Sequence, residues 1–519
     1  MRKNRLFLCL SFMIMMGNLL TSHSSLAQKK TETKKPNIII IYMDDLGFGD
    51  LSCYGAKEIK TPNIDKIAKQ GIKFTNGYAS SSTCTPSRYA LLTGEYPWKN
   101  KNAAILSGDA PLLISTDKQT LPKKLKANGY TTAVVGKWHL GLGNGQVNWN
   151  ERVSPGPNEV GFEYAYIMAA TNDRVPTVYM EDGGVVGLDK NDPIEVNYRK
   201  NFEGEPTGLD NPELLKMKWH HGHNKSIVNG IPRIGYMKGG KSALWDDEQM
   251  SEHFLGIAQD FVKENKEKPF FLYYALHQPH VPRIPNPRFV GSTNLGPRGD
   301  VIVEADWAVG EFMNTLKKEG LLENTLIIFS SDNGPVLNDG YFDQADTRNG
   351  LHTPAGVLRG GKYSLYDAGA HVPFMCMWKG EIKPMESNAL VSQVDIFNSI
   401  NSLLKLNEVD TDSQNILEAF LGKTEKGRSE FVVEANRNLA YRSGDWLMIP
   451  PYTGNPVNAF VGIELGKAKY FQLFNLKEDP SQTKNLSKEY PEVLAKLKKE
   501  FLEEVKGFEP EGANELVLE

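Results

Sequence analysis

Two acidic pairs, Asp44-Asp45 and Asp332-Asn333, stand far apart in the chain. Their hard oxygen donors suit Ca²⁺ or Mg²⁺ better than a thiolate-bound metal. Taken singly, either pair could instead cap a helix or close a turn. Basic, imidazole and nucleophilic side chains recur in four further short strings. These are Cys84-Thr85-Pro86-Ser87-Arg88, Gly136-Lys137-Trp138-His139, Leu276-His277-Gln278-Pro279-His280 and Gly360-Gly361-Lys362. Such groups can neutralise an anion and move protons near neutral pH, where histidine titrates.

These residues need elements to hold them. Apolar runs at 37–42, 131–135, 270–275 and 325–329 read as strands. Their continuous apolar character predicts burial on both faces of a parallel sheet. Each run leads directly into one of the strings above, and ligands of open α/β sheets bind beyond the carboxyl ends of the strands. Helical segments at 247–264 and 305–318 lie between strands, so the fold class is α/β with a mostly parallel sheet between helices. A helix is expected to start at Thr61-Pro62, with Thr61 as N-cap, and to end at Gly71. A second should begin after Pro86, so that its N-terminus favours an anion at Cys84. A helix over 392–404 closes a large domain spanning 37–405. Beyond it, short strands near 431–433 and 445–448 and an amphipathic helix over 490–505 predict a smaller α+β subdomain, 406–519, with a short antiparallel sheet.

The string at Cys84 continues into Leu91-Leu92-Thr93-Gly94. As a whole it resembles the signature of the formylglycine-dependent (type I) sulfatases, C-x-P-S-R followed by L-x-T-G. The alternative for Cys84 is a buried structural thiol. The resemblance extends over nearly the whole mature chain: the opening strand, Asp pair and turn of 37–54, Gly136-Lys137-Trp138-His139-Leu140-Gly141, Pro279-His280-Val281-Pro282, Ser331-Asp332-Asn333-Gly334, Gly360-Gly361-Lys362, and Leu473-Phe474-Asn475-Leu476 with Asp479-Pro480 and Asn485-Leu486. It implies an alkaline-phosphatase-like fold and one Ca²⁺ held by Asp44, Asp45, Asp332 and Asn333, with the modified Cys84 among its ligands. It further implies that Cys84 is converted to formylglycine (3-oxoalanine) by a formylglycine-generating or sulfatase-maturating enzyme. The hydrated aldehyde would attack sulfur, and its second hydroxyl would let sulfate leave by elimination. Arg88 would hold the hydrate, Lys137 and Lys362 would grip sulfate oxygens, His139 would accept a proton, and His280 would stand by the leaving oxygen. The physical chemistry agrees, because an alkoxide is a poor leaving group that a nearby imidazolium can protonate, and cations stabilise the sulfuryl oxygens.

One departure concerns the segment after Lys362, where such enzymes usually carry an arginine two residues before the proline. Here it reads Gly369-Ala370-His371-Val372-Pro373, which puts a structural ion pair there in doubt. Substrate signals are sparser. Thr171-Asn172-Asp173-Arg174 offers an acceptor and a donor to neighbouring sugar hydroxyls, or else forms a surface turn. The segment resembles that of bacterial sulfatases acting on galactose or N-acetylgalactosamine, with 6-O-sulfate at a chain end as the expected substrate. His277 either lines the pocket with Thr171, Asp173 and Arg174 or is a core histidine. His220, His221 and His223 have no cysteine or carboxylate partner at zinc-ligand spacing and read as a surface or rim loop, where Trp219 could stack on a sugar.

Composition fits this reading. A formal net charge of -4 over 519 residues, with no long basic run, excludes an electrostatic nucleic-acid binder. Arg2, Lys3 and Arg5, an apolar run from Leu6 to Leu20 and Ser25-Leu26-Ala27 form a secretory signal peptide (1–27) followed by a polar leader (28–36). The apolar run is short for a membrane span. An exported, periplasmic enzyme without stable membrane insertion is therefore expected. Cys53, Cys84 and Cys376 remain, too few for a disulfide framework. Two alternatives share the same residues: a phosphodiester or phosphonate hydrolase of the same superfamily, and an inactive binder of sulfated glycans. Two lysines beside a single metal site favour sulfate.

Overall fold

The computed structural model describes residues 35–507. The expected signal peptide and most of the leader lie outside the described residues. Ten strands form one sheet: β1 (Asn37–Met43), β2 (Ile72–Tyr78), β3 (Thr131–Lys137), β4 (Tyr164–Met168), β5 (Tyr179–Glu181), β6 (Gly184–Val185), β7 (Phe270–Ala275), β8 (Thr325–Ser331), β9 (Phe374–Met377) and β10 (Met385–Ser392). Their order is β10-β2-β9-β8-β1-β7-β3-β4-β5-β6. The run β8-β1-β7-β3-β4 is parallel. β9 enters antiparallel on one side, and β5 and β6 form an antiparallel edge on the other.

The sequence of β1, Asn-Ile-Ile-Ile-Ile-Tyr-Met, explains its central place. Every residue is buried, and successive side chains point to opposite faces. Ile38, Ile40 and Tyr42 join the core containing residues of α2 (Cys84–Thr93), α3 (Leu121–Ala127) and α6 (Ile396–Leu403). Ile39, Ile41 and Met43 join the opposite core, with α1 (Ile64–Gln70), α4 (Met250–Glu264) and α5 (Pro297–Lys318). Among the described residues no helix is long and apolar enough to cross a membrane.

Helix starts differ from the sequence expectation for identifiable reasons. α1 begins at Ile64, because the backbone N–H groups of Asn63 and Ile64 donate to Asp306 of α5 at 2.9 and 2.8 Å. Thr61 instead bonds Ser52 and Asp65. α2 begins at Cys84, before Pro86; a proline in the first turn loses only an N–H that has no intrahelical partner. α5 begins at Pro297, well ahead of 305. Its first half buries Arg298, Asp300, Glu304 and Asp306, polar residues that break the apolar period used to read helices.

A second, antiparallel sheet is formed by β11 (Glu430–Ala435), β12 (Asn438–Ser443), β13 (Trp446–Ile449) and β14 (Gln472–Asn475). It is covered by α7 (Pro491–Glu504) through Leu497 and Phe501. Its core is continuous with Tyr78 at the end of β2 and with Ala90, Tyr96 and Trp98 on and after α2. The small sheet therefore braces the helix that carries Cys84.

Candidate active site

Four adjacent parallel strands, β8, β1, β7 and β3, deliver their C-terminal residues to one edge of the sheet. β1 runs into Asp44-Asp45, β3 ends at Lys137 and leads to His139, β7 leads to His277 and His280, and β8 leads to Asp332-Asn333. Asp45 and His139 lie in the left-handed region, with φ of 62° and 52°. Non-glycine residues there are uncommon and concentrate at functional sites, where a sharp exit from a strand aims the side chain. The first turn of α2 brings in Cys84 and Arg88. Cys84, Asp44 and Asp332 each offer a ligand atom within 4.8 Å of the others, and Asp44, Asp45 and His280 do the same.

The charges interlock. Arg88 donates to Asp332 Oδ2 from Nε (3.0 Å) and from a terminal nitrogen (2.7 Å), and also to Tyr273 Oη (3.1 Å). Lys137 Nζ lies 2.6 Å from Asp44 Oδ2. Lys362 Nζ lies 2.9 Å from Asp45 Oδ2 and 2.8 Å from Asp339 Oδ2. Asn333 Nδ2 donates to Asp45 Oδ1 at 2.7 Å. All these groups are buried. Burial and the neighbouring Asp332 push the Asp44 carboxyl well up, against the pull of Lys137. Burial acts the same way on Asp45, but Lys362, Lys137 and the Asn333 hydrogen bond hold it below its usual range.

This cluster fits a hard divalent cation. Asp44 Oδ1 and Asn333 Oδ1 are buried without a hydrogen-bond partner, and such atoms call for a ligand. The donors are carboxylate and amide oxygens, as Ca²⁺ prefers. Both lysines reach into the same cluster and can turn to an oxyanion beside it.

Proton positions follow from the hydrogen bonds. His139 Nε2 lies 3.0 Å from the Leu106 carbonyl, so it carries the hydrogen, and Nδ1 keeps a lone pair with no partner. Burial, then Lys137 and Arg174, push this imidazole well below its ordinary value, which suits a neutral base. His280 Nδ1 donates to the Val281 carbonyl (2.7 Å), leaving Nε2 facing Asp45 Oδ2 at 3.9 Å. Burial, then Lys362 and Lys137, lower it as well. Burial raises the Cys84 thiol despite both lysines, so an unmodified Cys84 is a poorly ionised nucleophile.

The sulfatase family model matches residues 36–406. The chain belongs to the sulfatase family. It is a sulfuric ester hydrolase. It is 49% identical over 496 residues to an N-acetylgalactosamine-6-O-sulfatase of Bacteroides thetaiotaomicron, spanning 94% of this chain and 97% of the relative. Human arylsulfatase A is 32% identical over 389 residues, covering 73% of this chain and 66% of its own length. A solved Bacteroides thetaiotaomicron structure, described under that organism's metabolism of multiple glycosaminoglycans, superposes with a TM-score of 0.90 at 49% identity. That match covers 91% of this chain and 100% of that one.

Around the sulfatase's charged cluster, Thr171 and Asp173 are buried, which corrects the surface-turn alternative. Arg174 donates to Thr171 Oγ1 (2.5 Å) and Asp173 Oδ1 (2.8 Å). His223 Nε2 stands 2.8 Å from Asp173 Oδ2. His223 is thus buried and structural, a correction to the surface-loop expectation; His220 and His221 remain partly exposed. The Arg174 charge helps lower His139, and Cys84 acts in turn on Arg174, so this segment borders the reacting groups. His277 packs beside Phe254 of α4 (centroids 6.5 Å apart), and burial pushes it down to about 3. At the departure from arginine after Lys362, His371 Nδ1 lies 2.6 Å from Asp367 Oδ2, while Nε2 donates to the Thr75 carbonyl. Sequence reasoning missed Asp339 and Tyr273, the partners of Lys362 and Arg88. Asp339 is a single residue in an otherwise unmarked segment, and Tyr273 reads only as one more residue of an apolar strand, so the three-dimensional pairing reveals them.

Proposed function

We propose that this sulfatase removes 6-O-sulfate from N-acetylgalactosamine or galactose at the end of a glycan, using formylglycine made from Cys84 and one Ca²⁺. The observation that carries the proposal is the convergence of Cys84, Arg88, Lys137, His139, His280 and Lys362 on one cluster of oxygen ligands, bordered by the Thr171–Arg174 segment. Asp44, Asp45, Asp332 and Asn333 would hold the ion, with an oxygen of the modified Cys84. The hydrated aldehyde supplies a hydroxyl nucleophile and a second hydroxyl through which sulfate can be expelled, while the cation supplies charge stabilisation at a sulfate oxygen.

The chain's own groups do the rest. Arg88 keeps the Cys84 position aligned over Asp332. Lys137 and Lys362, each already shared between carboxylates, neutralise the sulfate oxygens. His139 accepts a proton at Nδ1, and His280 delivers one from Nε2 to the departing sugar oxygen, once the bound sulfate has raised its affinity for a proton. Asp173 and Arg174, held by His223 and Thr171, offer one acceptor and one donor to sugar hydroxyls. Deep burial of the reacting groups favours a terminal sugar, which has one linkage to accommodate rather than two. The curated relative named N-acetylgalactosamine-6-O-sulfatase supports the choice of sugar and position. Export to the periplasm, inferred from the N-terminal segment, places the enzyme where extracellular glycans arrive.

The test is sulfate release from galactose, N-acetylgalactosamine and N-acetylglucosamine, each sulfated at different positions, by calcium-loaded enzyme. Selective release from the 6-sulfated galacto sugars is expected. Release from another sugar or position overturns the Asp173–Arg174 assignment, and faster cleavage of matched phosphate esters overturns the sulfate assignment.

A further inference from the structure

The histidine loop does more than support Asp173. From His223 a chain of ring contacts runs outward to solvent. His223 and His221 have ring centroids 6.3 Å apart, and His221 and His220 5.1 Å. His221 stacks on Phe460 at 5.1 Å with an interplanar angle of 28°, and His220 meets Phe342 edge-on at 4.9 Å. Phe460 and Phe342 are 65% and 60% exposed. Each phenylalanine thus offers an apolar face to solvent while packed on one of two neighbouring histidines of the same loop.

Both rings are fastened to the catalytic groups. Phe342 follows Asp339, the partner of Lys362, by three residues, and its N–H donates to the Lys218 carbonyl (2.9 Å) while the His220 N–H donates to the Gly340 carbonyl (2.7 Å). Phe460 lies in the hairpin between Val457–Asn458 and Ile463–Glu464. That hairpin rests on the segment carrying Lys362: Arg359 forms a two-pronged bond to Glu464 (2.7 Å each), and the Leu365 N–H donates to the Leu465 carbonyl. Partial burial, the largest influence, lowers His221, so its ring is a neutral aromatic face.

We propose that Phe342 and Phe460 form a platform on which the sugar adjoining the sulfated one stacks. The platform sits at the solvent end of the ring chain that begins at His223, the partner of Asp173. A pyranose ring carries an apolar face of C–H groups that packs on aromatic rings, and its hydroxyls stay in water at an exposed rim. This inference rests on the carbohydrate substrate proposed above and extends it from one sugar to two.

The experiment compares wild type, Phe342→Ala, Phe460→Ala, the double variant and Phe460→Trp. The readout is the ratio of kcat/KM for a disaccharide with a terminal 6-O-sulfated N-acetylgalactosamine to kcat/KM for the sulfated monosaccharide. The double variant should lose about tenfold in that ratio, mainly through KM for the disaccharide, as expected for two aromatic contacts. Phe460→Trp should retain it. An unchanged ratio, or equal losses on both substrates, overturns the platform and leaves the sugar assignment standing. If the wild type cleaves a different sulfated sugar, that assignment falls, and the same ratio on that sugar decides the platform. If it cleaves no sulfated sugar, both fall together.

Discussion

At the scale of single residues, the site is a set of mutually dependent charges. Cys84 is buried among Asp44, Asp332 and two lysines. Cys84→Ala should keep its fold and lose sulfate release by at least about 10³-fold, as removal of a nucleophile does. Circular dichroism and a sulfate assay on one preparation check both halves. Asp339 accepts hydrogen bonds from Lys362 and Tyr363. Asp339→Asn should raise KM for the sulfate ester several-fold more than it lowers kcat, because it loosens the lysine without removing it. Equal loss in kcat would place Asp339 in the chemistry itself. Residues in short fixed-spacing strings were legible from sequence, because the strings put several ionisable groups at one strand end. Asp339, Tyr273 and His223 were not, because each acts through a partner remote in sequence.

At the scale of elements, β1, β3, β7 and β8 of the parallel run were readable from their largely apolar sequences, and 270–275 matches β7 residue for residue, whereas β4 was not read as a strand. Helix starts were less so, since buried polar contacts rather than local signals set them. α5 shows the cost of such contacts. Burial raises Glu304 to about 7 from an ordinary 4.5. Its stabilising, protonated state is fully present below about pH 4.5 and is lost as pH rises through about 7. The penalty above that is on the order of 3 kcal/mol. Glu304→Gln should flatten the fall in thermal stability between pH 4.5 and 8, and an unchanged pH profile would contradict the shift. Arg298 of the same helix grips Asp50 through two 2.7 Å bonds, and His352 adds a third at 2.8 Å. Removing it with Arg298→Ala leaves buried Asp50 without its main counter-charge and should cost about 3–5 kcal/mol in urea unfolding.

At the scale of the whole molecule, carboxylates remote in the chain, Asp45 and Asp332, meet at the ends of the adjacent strands β1 and β8, so binding there couples to global stability. Chelation should lower both activity and Tm, and added Ca²⁺ should restore them together, because a ligand that binds only the folded state stabilises it. Loss of activity at constant Tm would separate the ion from the fold. The α/β class and a second small antiparallel sheet were both legible in the change of pattern along the chain. What the sequence did not reveal is that the small sheet shares a core with Tyr78, Ala90, Tyr96 and Trp98 and thereby supports α2. That contact depends on packing between segments with no periodic relation to each other.

The most direct test of the central claim is sulfate release per enzyme molecule, measured across preparations that differ in the fraction of Cys84 peptide lacking about 18 Da, the mass change on conversion of the thiol to formylglycine. The rate should rise in proportion to that fraction and vanish when the thiol is intact. A rate independent of it would contradict formylglycine chemistry at Cys84.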